Sequence, residues 1–339
     1  MTTAVEDQPT RERPPRRFGV TSLEILCVLL VLAVVFQGSV ASILDVPKLR
    51  TASTVFVAVC VQALPFLVLG VVLSGAIAAF IPASALRKAL PRKQILAVPV
   101  AGIAGVALPG CECASVPVSR RLIQQGVPAS AALAFLLAAP AVNPIVLVAT
   151  AVAFPGRPEM VLARFVGSLV TAIVMGWLWA RFGKLEWMAE RALRRLPEHV
   201  SGPRWKVFVE ATRHDLVGSA GFLVIGGITA AAMNVYVKQE WLNAISGNIV
   251  LGVLLMALLA VILAICSEAD AFVAASLSML PLLPRLVFLV VGPVVDVKLI
   301  ALQAGTFGRS FAFRFAPVTF VVATVCAVGT GLVVLGGVG

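Results

Sequence analysis

The feature that most limits what this chain can fold into is the length of its uncharged apolar runs. Ile25–Phe36, Thr51–Leu86, Leu122–Phe154 and Ile245–Ser267 contain no Asp, Glu, Lys or Arg. About 20 apolar residues cross the hydrocarbon of a bilayer as a helix, so each longer run holds at least one crossing. Backbone amides in hydrocarbon must be paired within the element, which leaves helices or closed barrels. A barrel would be written as short segments of alternating polarity, and the sequence has none. Only 13% of residues are charged against 60% hydrophobic, where soluble domains carry about 25% charged residues. The predicted fold class is therefore all-α, polytopic and transmembrane. The net charge of +11 does not point to nucleic acid, because the basic residues sit in short segments between apolar runs, as membrane topology requires.

The runs predict helices at 20–42, 55–81, 129–153, 160–182, 214–236, 285–305 and 314–336. Two further stretches, 95–119 and 248–283, are apolar but interrupted by polar residues, Gly or Pro, and read as broken or re-entrant hairpins. With the N-terminus inside, 20 of the 27 Lys and Arg fall in inside segments and six, Arg164 among them, in outside ones. This bias supports a multi-pass protein of the cytoplasmic (inner) membrane with a cytoplasmic N-terminus. The organisation expected is a tail at 1–19, a peripheral first helix at 20–42, a repeat at 50–182, a cytoplasmic amphipathic linker at 183–213 lying on anionic lipid, and a second repeat at 214–339.

The two repeats are legible in the residues. Phe66–Gly70 (FLVLG) matches Phe222–Gly226 (FLVIG), Cys111 matches Cys266, and Pro140-Ala141-Val142-Asn143 matches Pro293-Val294-Val295-Asp296, at offsets of 156, 155 and 153. The topology makes the halves inverted, and inverted repeats place a solute site near the midplane between discontinuous helices.

Charges in apolar sequence mark that site. Glu112, Glu268, Asp270, Asp296 and Lys298 each cost about 2.5–3.5 kcal/mol at a helix centre unless compensated. Four acids and one Lys cannot all pair among themselves, so some carboxylates are expected to meet water, a cation or a proton. Pro109 and Gly110 break a helix before Cys111, Glu112, Cys113 and Ser115, and Pro117 follows. Cys266, Ser267, Glu268 and Asp270 form the matching cluster. Asn143 lies between Pro140 and Pro144, and Asp296 follows Gly292 and Pro293, so both sit at expected helix kinks. Asp296 and Lys298, two apart, would face apart on a regular helix, which leaves Lys298 to reach Glu112, Glu268 or Asp270. Cys111, Cys113 and Cys266 are soft ligands for thiophilic metals or metalloids. The alternative for these thiols is packing, or a transmembrane thiol–disulfide redox carrier in which Cys111 or Cys113 pairs with Cys266. His199 and His214 show no partner spacing. No nucleotide fingerprint or phosphate loop is present, so neither an enzyme activity nor a cofactor is expected, and no oligomeric state is written in the sequence.

These clusters carry a resemblance. Leu108–Cys113 followed by Val116-Pro117-Val118, Arg120-Arg121 and Ala138–Pro144, together with Cys266–Phe272 and Gly292–Lys298, resembles the predicted permease family that includes ArsP-type organoarsenical efflux permeases and YraQ-like proteins. The resemblance spans roughly residues 50–335. It implies a membrane permease for a small solute, in some members a trivalent organoarsenical, with proton or cation coupling open to the intramembrane acids. Glu112 stands where the family commonly has a small residue between the two cysteines.

Overall fold

The computed structural model describes residues 47–81, 90–91, 93–108, 112–193, 203–234, 249–277 and 280–336. By its contacts the chain divides into residues 1–43 and 44–339. The expected tail 1–19 and first helix 20–42 lie outside the described residues, as do Pro109, Gly110 and Cys111. Everything described is helix and turn, with no strand among the described residues.

The helices are α1 (Pro47–Phe80), α2 (Gln94–Ala104), α3 (Glu112–Gln124), α4 (Ala129–Val142), α5 (Pro144–Ala153), α6 (Pro158–Phe182), α7 (Glu190–Leu193), α8 (Arg204–Asn234), α9 (Ile249–Leu263), α10 (Asp270–Ser276), α11 (Leu282–Val291), α12 (Val297–Phe307) and α13 (Arg309–Val334). Among the described residues five segments are long and apolar enough to cross a membrane: Leu49–Phe80, Ala129–Ala153, Pro158–Phe182, Arg204–Ala232 and Arg309–Val334. The protein is thus an all-α, multi-pass membrane protein. Helix α8 begins at Arg204, ten residues before the expected 214, so the second half starts inside the segment read as linker.

The element order of α1–α6 recurs in α8–α13, with α7 between. Packing recurs too: α2 lies on α4 as α9 lies on α11, and α4 on α6 as α11 on α13. The halves meet where α1 packs on α8 and α6 on α13. Without a hydrophobic drive between helices in lipid, such contacts rely on small residues that let backbones approach. The matched glycines Gly70 and Gly226 allow the same close approach within each half. A Cβ on Gly70 would collide with the Ala114 backbone on α3, and one on Gly226 would stand 2.9 Å from Cα of Lys298 on α12. The repeated Phe-Leu-Val-x-Gly motif therefore seats each long helix against a helix that carries a buried charge.

Two runs expected as single kinked helices, 129–153 and 285–305, are each two helices with a true break. Asn143 is extended (φ −70°, ψ 154°) and its side chain accepts from Val146 N–H. Pro144 occupies the first helical position of α5, where its missing N–H costs nothing, and a residue before proline is steered away from helical angles. In the second half Gly292 closes α11. Asp296, extended at φ −141° and ψ 167°, caps α12 by accepting from Leu299 N–H. The two interrupted stretches are broken among the described residues: α2, a 3-10 turn at Gly105–Ala107 and α3 in the first half, α9 and α10 in the second.

The linker is docked, which differs from a segment merely lying on lipid. Met188 is 4% and Ala192 0% exposed. Ala189 N–H donates to Phe307 O at 2.6 Å. Gly308, at φ 106°, turns the chain between α12 and α13 and leaves room for Ala189 at 3.2 Å from where a Cβ would stand. Trp187 packs edge-on to Trp179 and under the Arg314 guanidinium.

Candidate functional site

The breaks bring three helix N-termini together. Glu112 opens α3, Asp270 opens α10 and Asp296 caps α12. A helix N-terminus carries about half a positive charge, which favours a carboxylate there. Three of the four acids singled out in the sequence are therefore held partly by backbone dipoles, a compensation that a count of ionic side chains misses.

Lys298 sits at the centre. Its ammonium lies 2.5 Å from Glu112 Oε1, 3.8 Å from Asp296 Oδ2, 3.3 Å from the Ala264 carbonyl and 3.9 Å from Cys266 Sγ. The expectation that Lys298 reaches Glu112 is met. The expectation that it faces away from Asp296 is not, because Asp296 is extended and Lys298 lies in the first turn of the new helix, so the two-residue helical spacing does not apply. Ala264, at φ 49°, is the one described non-glycine residue with positive φ. This conformation costs about 1–2 kcal/mol. It ends α9 and turns a carbonyl toward Lys298.

The two halves touch through a direct hydrogen bond: Ser267 Oγ donates to Glu112 Oε2 at 3.3 Å. These residues are 155 apart, the offset that matches the two cysteines in sequence. Ser115 Oγ donates to the Glu112 carbonyl one turn below. Cys113 and Cys266 are both buried, 0% and 2% exposed. Among the described residues no group of three or more His, Cys, Asp or Glu could hold a metal ion.

A second cation, not foreseen from sequence, completes the cluster. Arg164 is fully buried on α6. Its guanidinium donates to Thr150 Oγ1 at 2.8 Å, to the Ser267 carbonyl at 2.9 Å and to Asp270 Oδ2 at 3.0 Å, with Asp270 Oδ1 in ion-pair contact at 2.9 Å. The topological count placed it in an outside loop, since it lies near the polar turn at 154–159. Its helical register says otherwise: Arg164 shares a face with Gly167, Ser168, Thr171, Ala172 and Met175, all of them buried. That stripe of small residues is the signal that could have found it.

Glu268 stands apart from the other three acids. It lies in the turn before α10 and opens no helix. Both its oxygens are buried and lack a hydrogen-bond partner, within electrostatic reach of Glu112, Arg164 and Lys298. Asn143 serves as the cap of α5 and also donates to the Ala139 carbonyl. Glu112, Arg164, Asp270, Asp296 and Lys298 are each at most 2% exposed, so the cluster is closed to both water and lipid. Pro117, Pro140, Pro144, Gly292 and Pro293 all fall in or beside the helices that frame it.

Comparison with known proteins finds relatives over most of the chain. The sequence profile of a family described as predicted permease matches residues 48–332. UPF0718 protein YcgR of Bacillus subtilis (strain 168) is 36% identical over 279 residues, covering 81% of this chain and 94% of that protein. A Streptococcus mutans protein (serotype c, strain ATCC 700610 / UA159), provisionally described as a two-component membrane permease complex subunit, is 33% identical over 266 residues. That alignment covers 77% of this chain and 88% of the relative. No solved structure matches.

Proposed function

Because the chain belongs to the predicted permease family, we propose that it is a secondary transporter of the cytoplasmic membrane whose two halves, inverted relative to each other, expose the Glu112–Ser267–Glu268–Lys298 cluster alternately to either side. The observation that carries this reading is a charged cluster contributed by both halves, with Glu112, Ser267 and Lys298 buried and one half-buried carboxylate, Glu268, whose oxygens are left without a hydrogen-bond partner. Discontinuous helices whose ends converge on such a cluster are how secondary transporters hold ions and solutes at the midplane.

Each residue then has a task. Lys298 and Arg164 pair with Glu112, Asp296 and Asp270 as the frame of the site. Asn143 and Asp296 fix where α5 and α12 restart. Glu268 takes the coupling proton or cation. Cys113 and Cys266, with Cys111, supply sulfur to a small thiophilic metal(loid) or organometalloid solute. Its binding would be transient, since soft thiolates are ligands without being a closed cage. The name of the Streptococcus relative adds a second component to the expected machinery; whether this chain works with one is part of the same test.

The test is a sensitivity screen of cells with and without the protein against metal(loid)s and organoarsenicals, followed by flux of any hit in liposomes holding the purified chain alone. Wild-type flux that falls to background in Glu268→Gln supports the reading. Full flux in Glu268→Gln contradicts the coupling role. Flux that survives serine at Cys111, Cys113 and Cys266 together excludes a thiol–disulfide carrier.

A further inference from the structure

A second buried ionic cluster lies away from the site, at the far end of α3. Arg121, nine residues beyond Glu112 and so about 13 Å along the helix axis, is 5% exposed. Its Nη2 lies 2.8 Å from Asp215 Oδ2 on α8 and its Nε 3.3 Å from Ser74 Oγ on α1. Ser74 Oγ donates to the same Asp215 oxygen at 2.7 Å. Arg120 approaches Asp215 Oδ1 at 3.3 Å, and His214 Nδ1 stands 3.6 Å from it with its ring largely exposed. Asp215 itself is 3% exposed. One carboxylate thus ties α3 to both long helices, α1 and α8.

Two further features fall along the same line. Pro117 interrupts α3 between Glu112 and Arg121. Proline removes a backbone hydrogen bond and lets a helix bend there. The docked linker packs against both α3 and α12, the helices whose first turns carry Glu112 and Lys298, and is pinned by Ala189 N–H to the Phe307 carbonyl at the last residue of α12. The far end of α3 is therefore tethered by Asp215 and that of α12 by the linker, while their near ends meet across the Glu112–Lys298 pair.

We propose that Arg121 and Asp215 are gating residues: their ion pair, with Ser74, latches the linker-side end of α3 and keeps the buried cluster closed toward that side, and transport requires the latch to part about Pro117. This rests on the permease reading for its purpose but not for its test. A purely structural ion pair would be spread anywhere in the bundle. This one joins the mobile candidate, a proline-interrupted helix that begins at the site, to the paired helices of the two halves. Its carboxylate is shared among Arg120, Arg121, His214 and the Ser74 hydroxyl, so loss of the single Asp215 charge weakens all four contacts at once.

The native thiol Cys266, 3.9 Å from Lys298, is a reporter inside the cluster. In a chain retaining Cys266 alone, with Cys27, Cys60, Cys111, Cys113 and Cys326 replaced by Ala or Ser, a charged membrane-impermeant methanethiosulfonate reagent is added to one face of reconstituted vesicles at a time. Asp215→Asn is expected to speed modification from the linker face at least about tenfold, given that breaking a buried pair shifts an equilibrium by more than that factor. Modification from the other face should not change. The charge exchange Arg121→Asp with Asp215→Arg should return the rate toward the parent value, and Ser74→Ala, a milder change, should give an intermediate rate. A folded Asp215→Asn protein whose Cys266 reacts no faster overturns the gate and leaves the permease reading standing. If no variant reacts from either face while unfolded protein does, the permease reading falls along with the gate.

Discussion

Replacing Arg164 by Leu removes the cation that the sequence alone does not place in the site. The structure sets the size of the effect. The guanidinium is completely buried and bonds to Asp270 through both oxygens, to the Ser267 carbonyl and to the Thr150 hydroxyl. Its loss leaves Asp270 enclosed without its cation, with the Ser267 carbonyl stripped of this donor beside it. Breaking a buried pair from one side costs about 3–5 kcal/mol. For chains of about 150–250 residues each kcal/mol lowers the melting temperature by about 2–4 °C, which gives a fall of roughly 6–20 °C. Retained monodispersity after heating in detergent measures it. Arg157→Leu is the control, because that side chain is 54% exposed and only 3.8 Å from Glu159, a surface pair worth about 0–1 kcal/mol. The double change Arg164→Leu with Asp270→Leu should recover most of the loss, since no lone charge remains. If Arg164→Leu melts with the control, Arg164 and Asp270 are not a desolvated pair and the frame assigned to the site is wrong.

Other expected outcomes follow from the same geometry. Asp296→Asn keeps an acceptor for Leu299 N–H and should fold like the parent, whereas Asp296→Ala should lose about 0.5–2 kcal/mol in the same heating assay. Gly226→Ala places a methyl 2.9 Å from the backbone of Lys298 and should destabilise by about 1–3 kcal/mol; Gly221→Ala, with nothing within 4 Å, should leave the melting temperature unchanged. Ala264→Gly relieves a positive φ, and a melting temperature equal to or above the parent's is expected, provided that the Lys298 contact to residue 264 is kept. Gly308→Ala combines a φ of 106° with close packing on Ala189, so it should loosen the linker, read as faster proteolysis within 184–203.

Much of this was legible in the residues. The charge-free runs fix the class of fold, since nothing but paired backbone survives in hydrocarbon. The offset of 155 between Cys111 and Cys266 points to the residues that meet, and Glu112 does bond to Ser267 at that offset. Four intramembrane acids demand compensation, and Lys298 with the helix N-termini provides most of it. The parts that were not legible share one cause: they depend on where a helix stops. Asp296 and Lys298 are neighbours only because α12 restarts between them. Regions 129–153 and 285–305 look continuous because a cap such as Asn143 costs no hydrophobicity. Arg164 hides because a charge six residues from a polar turn reads as part of that turn, although the small residues every three or four positions after it mark a buried face. Asp215 was assigned to no site, because its contacts, Arg121 and Ser74, are 94 and 141 residues away, beyond any local pattern.

The central claim is that the charged cluster between the halves opens to water first on one side and then on the other. Side-specific modification of Cys113, fully buried beside Glu112 on α3, addresses it without knowledge of the solute. In right-side-out and everted vesicles bearing a chain with Cys113 as its single cysteine, an impermeant thiol reagent should modify the residue slowly from both faces. Modification from one face only, or from neither while the denatured chain reacts, would contradict alternating access and reduce the cluster to a structural core.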